Sequence, residues 1–227
     1  MNILVIAAHP DDEILGCGGT IARLVKEGNT VYTLILGEGI TSRDEKRDRH
    51  KNEEEIKKLR SHIKAANKII GVKDVFVFDF PDNRFDTVAL LDMVKIVETI
   101  KKRVYPDIIF THHHGDLNID HQITFQAVMT AFRPIRGEKA KDIYSFEVPS
   151  STEWNGPFPS AYFMPNYFVD ISKTLKLKIK ALKEYKSEIR EFPHPRSIKA
   201  LETIAKYRGI QVGSEAVEAF EAVRIIR

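Results

Sequence analysis

The chain has 227 residues, of which 43% are hydrophobic and 30% charged, with a net charge of +3. These figures suit one soluble α/β domain spanning 1–227, and so weak a positive balance does not call for nucleic acid or a membrane surface as partner. A single cysteine, Cys17, excludes an intramolecular disulfide, and no stretch has the length of a transmembrane helix.

The N-terminus reads MNILVIAAHP, without the basic region and long apolar run of a signal peptide, so a cytoplasmic location is the default expectation. Asn2 to Ala8 is a continuous apolar run, the pattern of a strand buried on both faces. After the loop HPDDE, Gly16-Cys17-Gly18-Gly19 leads into Ile21, Ala22, Leu24 and Val25 at helical spacing. Thr30 to Leu36 is a second β-branched run. Strand, helix, strand in this order predicts a βαβ unit, a parallel sheet and a right-handed crossover.

The alternation continues. A helix is expected over about 48–70, with Ile56, Leu59, Ile63, Ala66 and Ile70 on one face, then a strand over 75–78, a helix over 88–104 and a buried strand over 107–111. A helix over 120–132 and strands over 143–148 and 167–169 follow. The end reads as mainly helical, over 172–190 and 197–208. The segment 41–58 is dense in charge, which predicts a solvated loop and helix start, with a mobile lid as the sharper alternative. Residues 149–165, with four prolines and the only tryptophan, read as an ordered loop. The fold class is therefore α/β: a Rossmann-like three-layer arrangement, a mostly parallel sheet with helices on both faces.

In such sheets ligands bind beyond the carboxyl ends of the strands. Two clusters lie there. His9-Pro10-Asp11-Asp12-Glu13 follows the first strand, and three adjacent carboxylates beside a histidine at a buried strand end are most simply compensated by a divalent cation. The helix dipole accounts for Asp12 and Glu13 without a metal, but not for His9. The second cluster, His112-His113-His114-Gly115-Asp116-Leu117-Asn118-Ile119-Asp120-His121, follows the 107–111 strand. Its three consecutive histidines cannot all face one site. His121 is the better ligand because it opens a helix and follows Asp120, a carboxylate placed to hold a ligand ring.

AHPDDE after the first strand, with the later DxNxDH, resembles the PIG-L/LmbE-type zinc-dependent N-deacetylases. PDN at 81–83, SSTEW at 150–154, HPRS at 194–197 and RG at 208–209 also resemble members of that family. The resemblance implies one Zn2+ per chain on His9, Asp12 and His121, with Asp11 as general base, and an N-acetylated amino sugar or sugar conjugate as substrate. Zinc with three protein ligands keeps a position open for water and lowers its pKa to about 7. Asp11 would accept the proton and pass it to the leaving amine. Asp116 and Asp120 match acidic positions beside the motif. One departure stands out: many members carry a histidine where this chain has Asn118, so the oxyanion donor or general acid is open among His114, His194 and a tyrosine. For substrate, Arg84, Arg196 and Arg208 are candidate anion contacts, and Trp154 a candidate stacking surface. The eleven Lys or Arg against four Glu over 172–208 equally describe a solvated helix face. Metal hydrolases of this kind often assemble, so a homo-oligomer is a partner the resemblance admits.

Three other readings compete. A non-haem iron oxygenase would use His9, Asp11 and His121 as its triad, but in an all-β barrel. A nucleotide-binding module would use Gly16, Gly18 and Gly19, although these are not GxGxxG and begin eight residues after the strand. A metal-binding member without catalysis would explain Asn118.

Overall fold

The computed structural model describes residues 1–156, 158 and 161–227. In chain order its elements are β1 (Asn2–Ala7), α1 (Asp12–Lys26), β2 (Thr30–Gly37), α2 (Glu53–Ile69), β3 (Asp74–Phe80), α3 (Leu90–Val104), β4 (Ile108–His112), α4 (Ile119–Ala131), β5 (Asp142–Phe146), β6 (Tyr167–Asp170), α5 (Leu175–Leu182), α6 (Ile198–Ile210) and β7 (Val217–Arg224). One seven-stranded sheet runs β3-β2-β1-β4-β5-β7-β6. Its first five strands are parallel, and β7 is antiparallel to both neighbours.

The apolar run of β1 is buried because helices cover both faces. Ile3, Val5 and Ala7 pack with Ile14, Ile21 and Ile63 of α1 and α2, while Leu4 and Ile6 pack with Met93, Val97 and Val128 of α3 and α4. The two-residue period of the strand sends alternate side chains into the two cores. The expected three layers are present. Among the described residues, no helix is long and apolar enough to cross a membrane.

Three stretches differ from the sequence expectation. First, the glycine run lies inside α1, which is broken at Cys17 (φ −145°, ψ 23°). A Cβ on Gly16 would stand 2.2 Å from Phe146 Cδ2, and one on Gly19 2.8 Å from Ile171 Cδ1. These glycines serve close packing and form no phosphate loop. Gly16→Ala is expected to cost about 1–3 kcal/mol, the range for overpacked cores, read as a lower urea midpoint with an unchanged slope.

Second, α2 starts at Glu53, because the residues before it are drawn into ion pairs. Arg47 and Arg49 both grip the buried Glu38, at 2.7 and 3.0 Å, and Arg49 also reaches Asp79 at 3.1 Å. The part of the charge-dense segment before α2 is thus a pinned loop, and the rest is the first turns of the helix.

Third, the helix expected over 172–190 spans only Leu175–Leu182, and the chain ends its fold with β7. A charged group hidden by its partners makes β7 hard to read. Glu218 is buried and accepts the N–H groups of Gly19 (2.9 Å) and Thr20 (2.6 Å) at the break in α1. Lys178 of α5 completes the knot, donating to Glu218 at 2.6 Å and to the Leu15 carbonyl at 2.7 Å.

Candidate metal centre

β1 and β4 are adjacent parallel strands, with Ile3 opposite Ile108 and Val5 opposite Phe110. Their carboxyl ends therefore stop together, and the loops that follow face each other. The Ala8 amide donates to His112 Nε2 at 2.8 Å and ties the two ends. α1 then starts at Asp12, with Asp11 preceding it at φ 101°, a left-handed conformation that Asp tolerates better than most residues.

Three donor atoms converge here. His9 Nδ1 lies 3.3 Å from His121 Nε2, His9 Nδ1 lies 3.4 Å from Asp12 Oδ2, and His121 Nε2 lies 3.3 Å from Asp12 Oδ2. Tetrahedral coordination with bonds of about 2.0–2.1 Å requires ligand atoms roughly 3.3–3.4 Å apart, so the triangle has the size of such an ion. Asp12 and His121 are buried, and Asp12 Oδ1 has no hydrogen-bond partner. An orphaned buried carboxylate oxygen is costly unless a cation compensates it. Burial works to raise the Asp12 pKa, but the positive field of His121 and hydrogen bonds from both rings hold it well below the usual range.

A second ring of groups orients the first. Asp120 Oδ2 lies 2.8 Å from His9 Nε2, while its other oxygen accepts the Phe85 amide at 2.9 Å. Asp116 Oδ1 lies 3.1 Å from His121 Nδ1, without meeting the geometry of a regular hydrogen bond. Asp116 also takes hydroxyls from Ser151 and Thr152. Burial would raise its pKa, yet the positive field of His121 and these bonds bring it to about 2. Burial pulls His121 down, but Asp12 and Asp116 lift it to about 9, so a metal binding there must displace a proton.

Asp11 is buried and stands apart from the triangle. Its Oδ2 faces Arg196 Nη1 at 3.2 Å, and its amide donates to Glu13 Oε2 at 3.1 Å. Burial pushes its carboxyl well above the usual range, against the opposing field of Arg196. An oxygenase triad would need Asp11 where Asp12 Oδ2 stands. Arg196 also donates to Ser150 Oγ at 2.8 Å. Asn118 caps α4, accepting the Asp120 amide at 2.8 Å, and its Nδ2 donates to Asn83 Oδ1 at 2.8 Å. His9, Asp11, Arg43, Asn83, Asn118 and Arg196 all line one polar cleft.

The remaining candidates lie elsewhere. Arg84 reaches the Glu45 carbonyl at 3.4 Å and does not line the cleft. His194 Nδ1 accepts the Arg196 amide at 3.1 Å, and its ring stands edge-on to Trp154 at 5.8 Å. His114 is exposed beside His113. Arg208 forms a two-pronged pair with Glu147 at 2.9 and 2.7 Å.

Sequence reasoning gave three groups no individual role. His112 is buried and stacks on His121 at 3.9 Å. Asp82 Oδ1 lies 3.4 Å from His9 Nε2. Glu13 accepts from Tyr185 (2.6 Å) and Asn67 (2.9 Å), and burial brings its pKa to about 7. Asp82 had a signal, the PDN triplet at a strand end, whereas the partners of His112 and Glu13 are distant in sequence.

The chain is 32% identical over 192 residues to the uncharacterized deacetylase YaiS of Escherichia coli, covering 82% of this chain and 91% of that protein. It is 27% identical over 228 residues to the diacetylchitobiose deacetylase of Thermococcus kodakarensis, covering 98% and 83%. Its fold is similar to that of GalB, the 4-carboxy-2-hydroxymuconate hydratase of Pseudomonas putida KT2440, with a TM-score of 0.76 at 21% identity over 100% of this chain and 98% of that one. The fold alone therefore does not select the chemistry. Residues 4–132, which contain every atom of the triangle, match the model of the GlcNAc-PI de-N-acetylases, and the chain belongs to this PIG-L family.

Proposed function

We propose that this protein is a zinc-dependent hydrolase that removes the N-acetyl group of an acetylated amino sugar or sugar conjugate. His9, Asp12 and His121 are its metal ligands in this reading, and Asp11 is its general base. The observation that carries it is the triangle of donor atoms 3.3–3.4 Å apart, with Asp11 beside it in a polar cleft.

A divalent ion held there supplies Lewis acidity, both to water as nucleophile and to an acyl oxygen. The protein supplies the rest. Asp11, buried at the wall of the cleft and free of the triangle, takes the proton of the attacking water. It returns that proton to the amine nitrogen as the C–N bond breaks, giving acetate and the free amine. Arg196 holds the Asp11 carboxylate in place. Asp120 and Asp116 fix the rings of His9 and His121. Asn118 presents an amide N–H toward the cleft and donates a hydrogen bond, but it carries no transferable proton. Ser42, Asn83 and Arg43 offer contacts for sugar hydroxyls.

The test is acetate release from a panel of N-acetylated amino sugars by the zinc-loaded protein. Release should stop on chelation and return with zinc. A protein that binds zinc and releases no acetate from any of them is the non-catalytic metal binder, and this reading falls.

A further inference from the structure

His112, His113 and His114 are consecutive, yet the structure sends them to different places. His112 turns inward onto His121. His113 and His114 turn toward Glu221 of β7, and a nitrogen of each ring and a Glu221 oxygen all lie within 4.8 Å of one another. We propose that His113, His114 and Glu221 form a second divalent-cation site of borderline, zinc-like preference, separate from the triangle at His9, Asp12 and His121.

The supporting groups are arranged as such a site requires. His113 Nε2 lies 3.1 Å from the Ala161 carbonyl, which only accepts, so the ring proton is held at Nε2. That leaves Nδ1 as the ligand nitrogen, and Nδ1 faces Glu221 Oε2 at 2.9 Å. A metal-bound histidine typically donates its other N–H to a carbonyl or carboxylate in this manner. Gly115 makes the arrangement fit, since a Cβ there would stand 2.6 Å from the Ala161 oxygen and 2.8 Å from His113 Nε2. Glu221 is itself oriented, accepting the Met164 amide at 2.6 Å and the Ser145 hydroxyl at 3.3 Å. His114 is exposed, and its ring nitrogen, within 4.8 Å of the other two donor atoms, is the third ligand, with solvent filling the open position. Two neutral imidazoles and one carboxylate leave a net positive charge and match the donors that zinc takes. In the absence of an ion, His113 Nδ1 and Glu221 Oε2 face each other at 2.9 Å. Burial works to lower the His113 pKa, and the hydrogen bond to Glu221 raises it above the usual value. An ion there would tie the β4–α4 loop to β7, two residues before Asp116.

The experiment is a calorimetric zinc titration of the full chain at pH 8 against a competing chelator. The expected result is two ions per chain in the wild type and one in both His114→Ala and Glu221→Gln, with circular dichroism showing each variant folded. His9→Ala should also retain one ion, held by His113, His114 and Glu221, which separates this site from the proposed active centre. One ion in the wild type, or a second ion that survives both His114→Ala and Glu221→Gln, overturns the proposal and leaves His113 and Glu221 as an ion pair.

Discussion

Asp11→Asn is expected to bind zinc as the wild type does and to hydrolyse its substrate on the order of 10²–10⁴ more slowly, the range for loss of a general acid–base group. The substitution preserves shape, and Asn tolerates the left-handed backbone of this position (φ 101°) as Asp does. It also leaves the triangle alone, because Asp11 Oδ2 faces Arg196 and no ligand atom. Steady-state kinetics with zinc content measured on the same sample checks it. The fall should appear in kcat with little change in KM. An Asp11→Asn protein as fast as wild type would remove Asp11 from the mechanism. By contrast Asp12→Asn takes the charge from the only carboxylate in the triangle, so it should lose metal and activity together.

The largest effect on stability is expected at Lys178→Met. Lys178 and Glu218 are both almost fully buried, and the amine is the carboxylate's only cationic partner among the described residues. Removing one member of a buried pair leaves an uncompensated charge and typically costs about 3–5 kcal/mol. In a chain of this size that lowers Tm by on the order of 10 °C. The double variant Lys178→Met, Glu218→Gln removes the stranded charge and should recover part of the loss. Thermal unfolding of the two variants, side by side, distinguishes a charge effect from lost packing. Equal losses would assign the cost to packing of the lysine stem.

The same two examples show what could be read from the sequence. The parallel part of the sheet was legible because β1, β2 and β4 are buried on both faces and present unbroken apolar runs. The triangle was legible because strand ends collect ligands and because HPDD and the distal DH carry a family resemblance. Asp12 and Asp11 are neighbours of the same type, however, and only the turn at Asp11 sends one to the rings and the other to Arg196. β7 was illegible because Glu218 and Glu221 look like surface residues until Lys178 and His113 are placed beside them. The helix expected over 172–190 is present only over Leu175–Leu182, and Lys178, counted there among solvated lysines, points inward from its middle. Arg84 was singled out by its place after PDN, but a residue's position in a loop does not fix where a long side chain reaches.

β7 also bears on how the protein is made. It enters the sheet between β5 and β6, both of which leave the ribosome before it. Until it arrives, β5 and β6 each present an unpaired row of backbone groups, the kind of open edge that recruits other chains. The break in α1, which is synthesised well before β7, waits equally long for the Glu218 carboxylate that satisfies its Gly19 and Thr20 amides. The half of the sheet that carries the candidate metal centre can close as soon as β4 pairs with β1, whereas the other half waits for β7, which follows every other strand of the sheet. The interval between those two events is when the nascent chain is most exposed to aggregation.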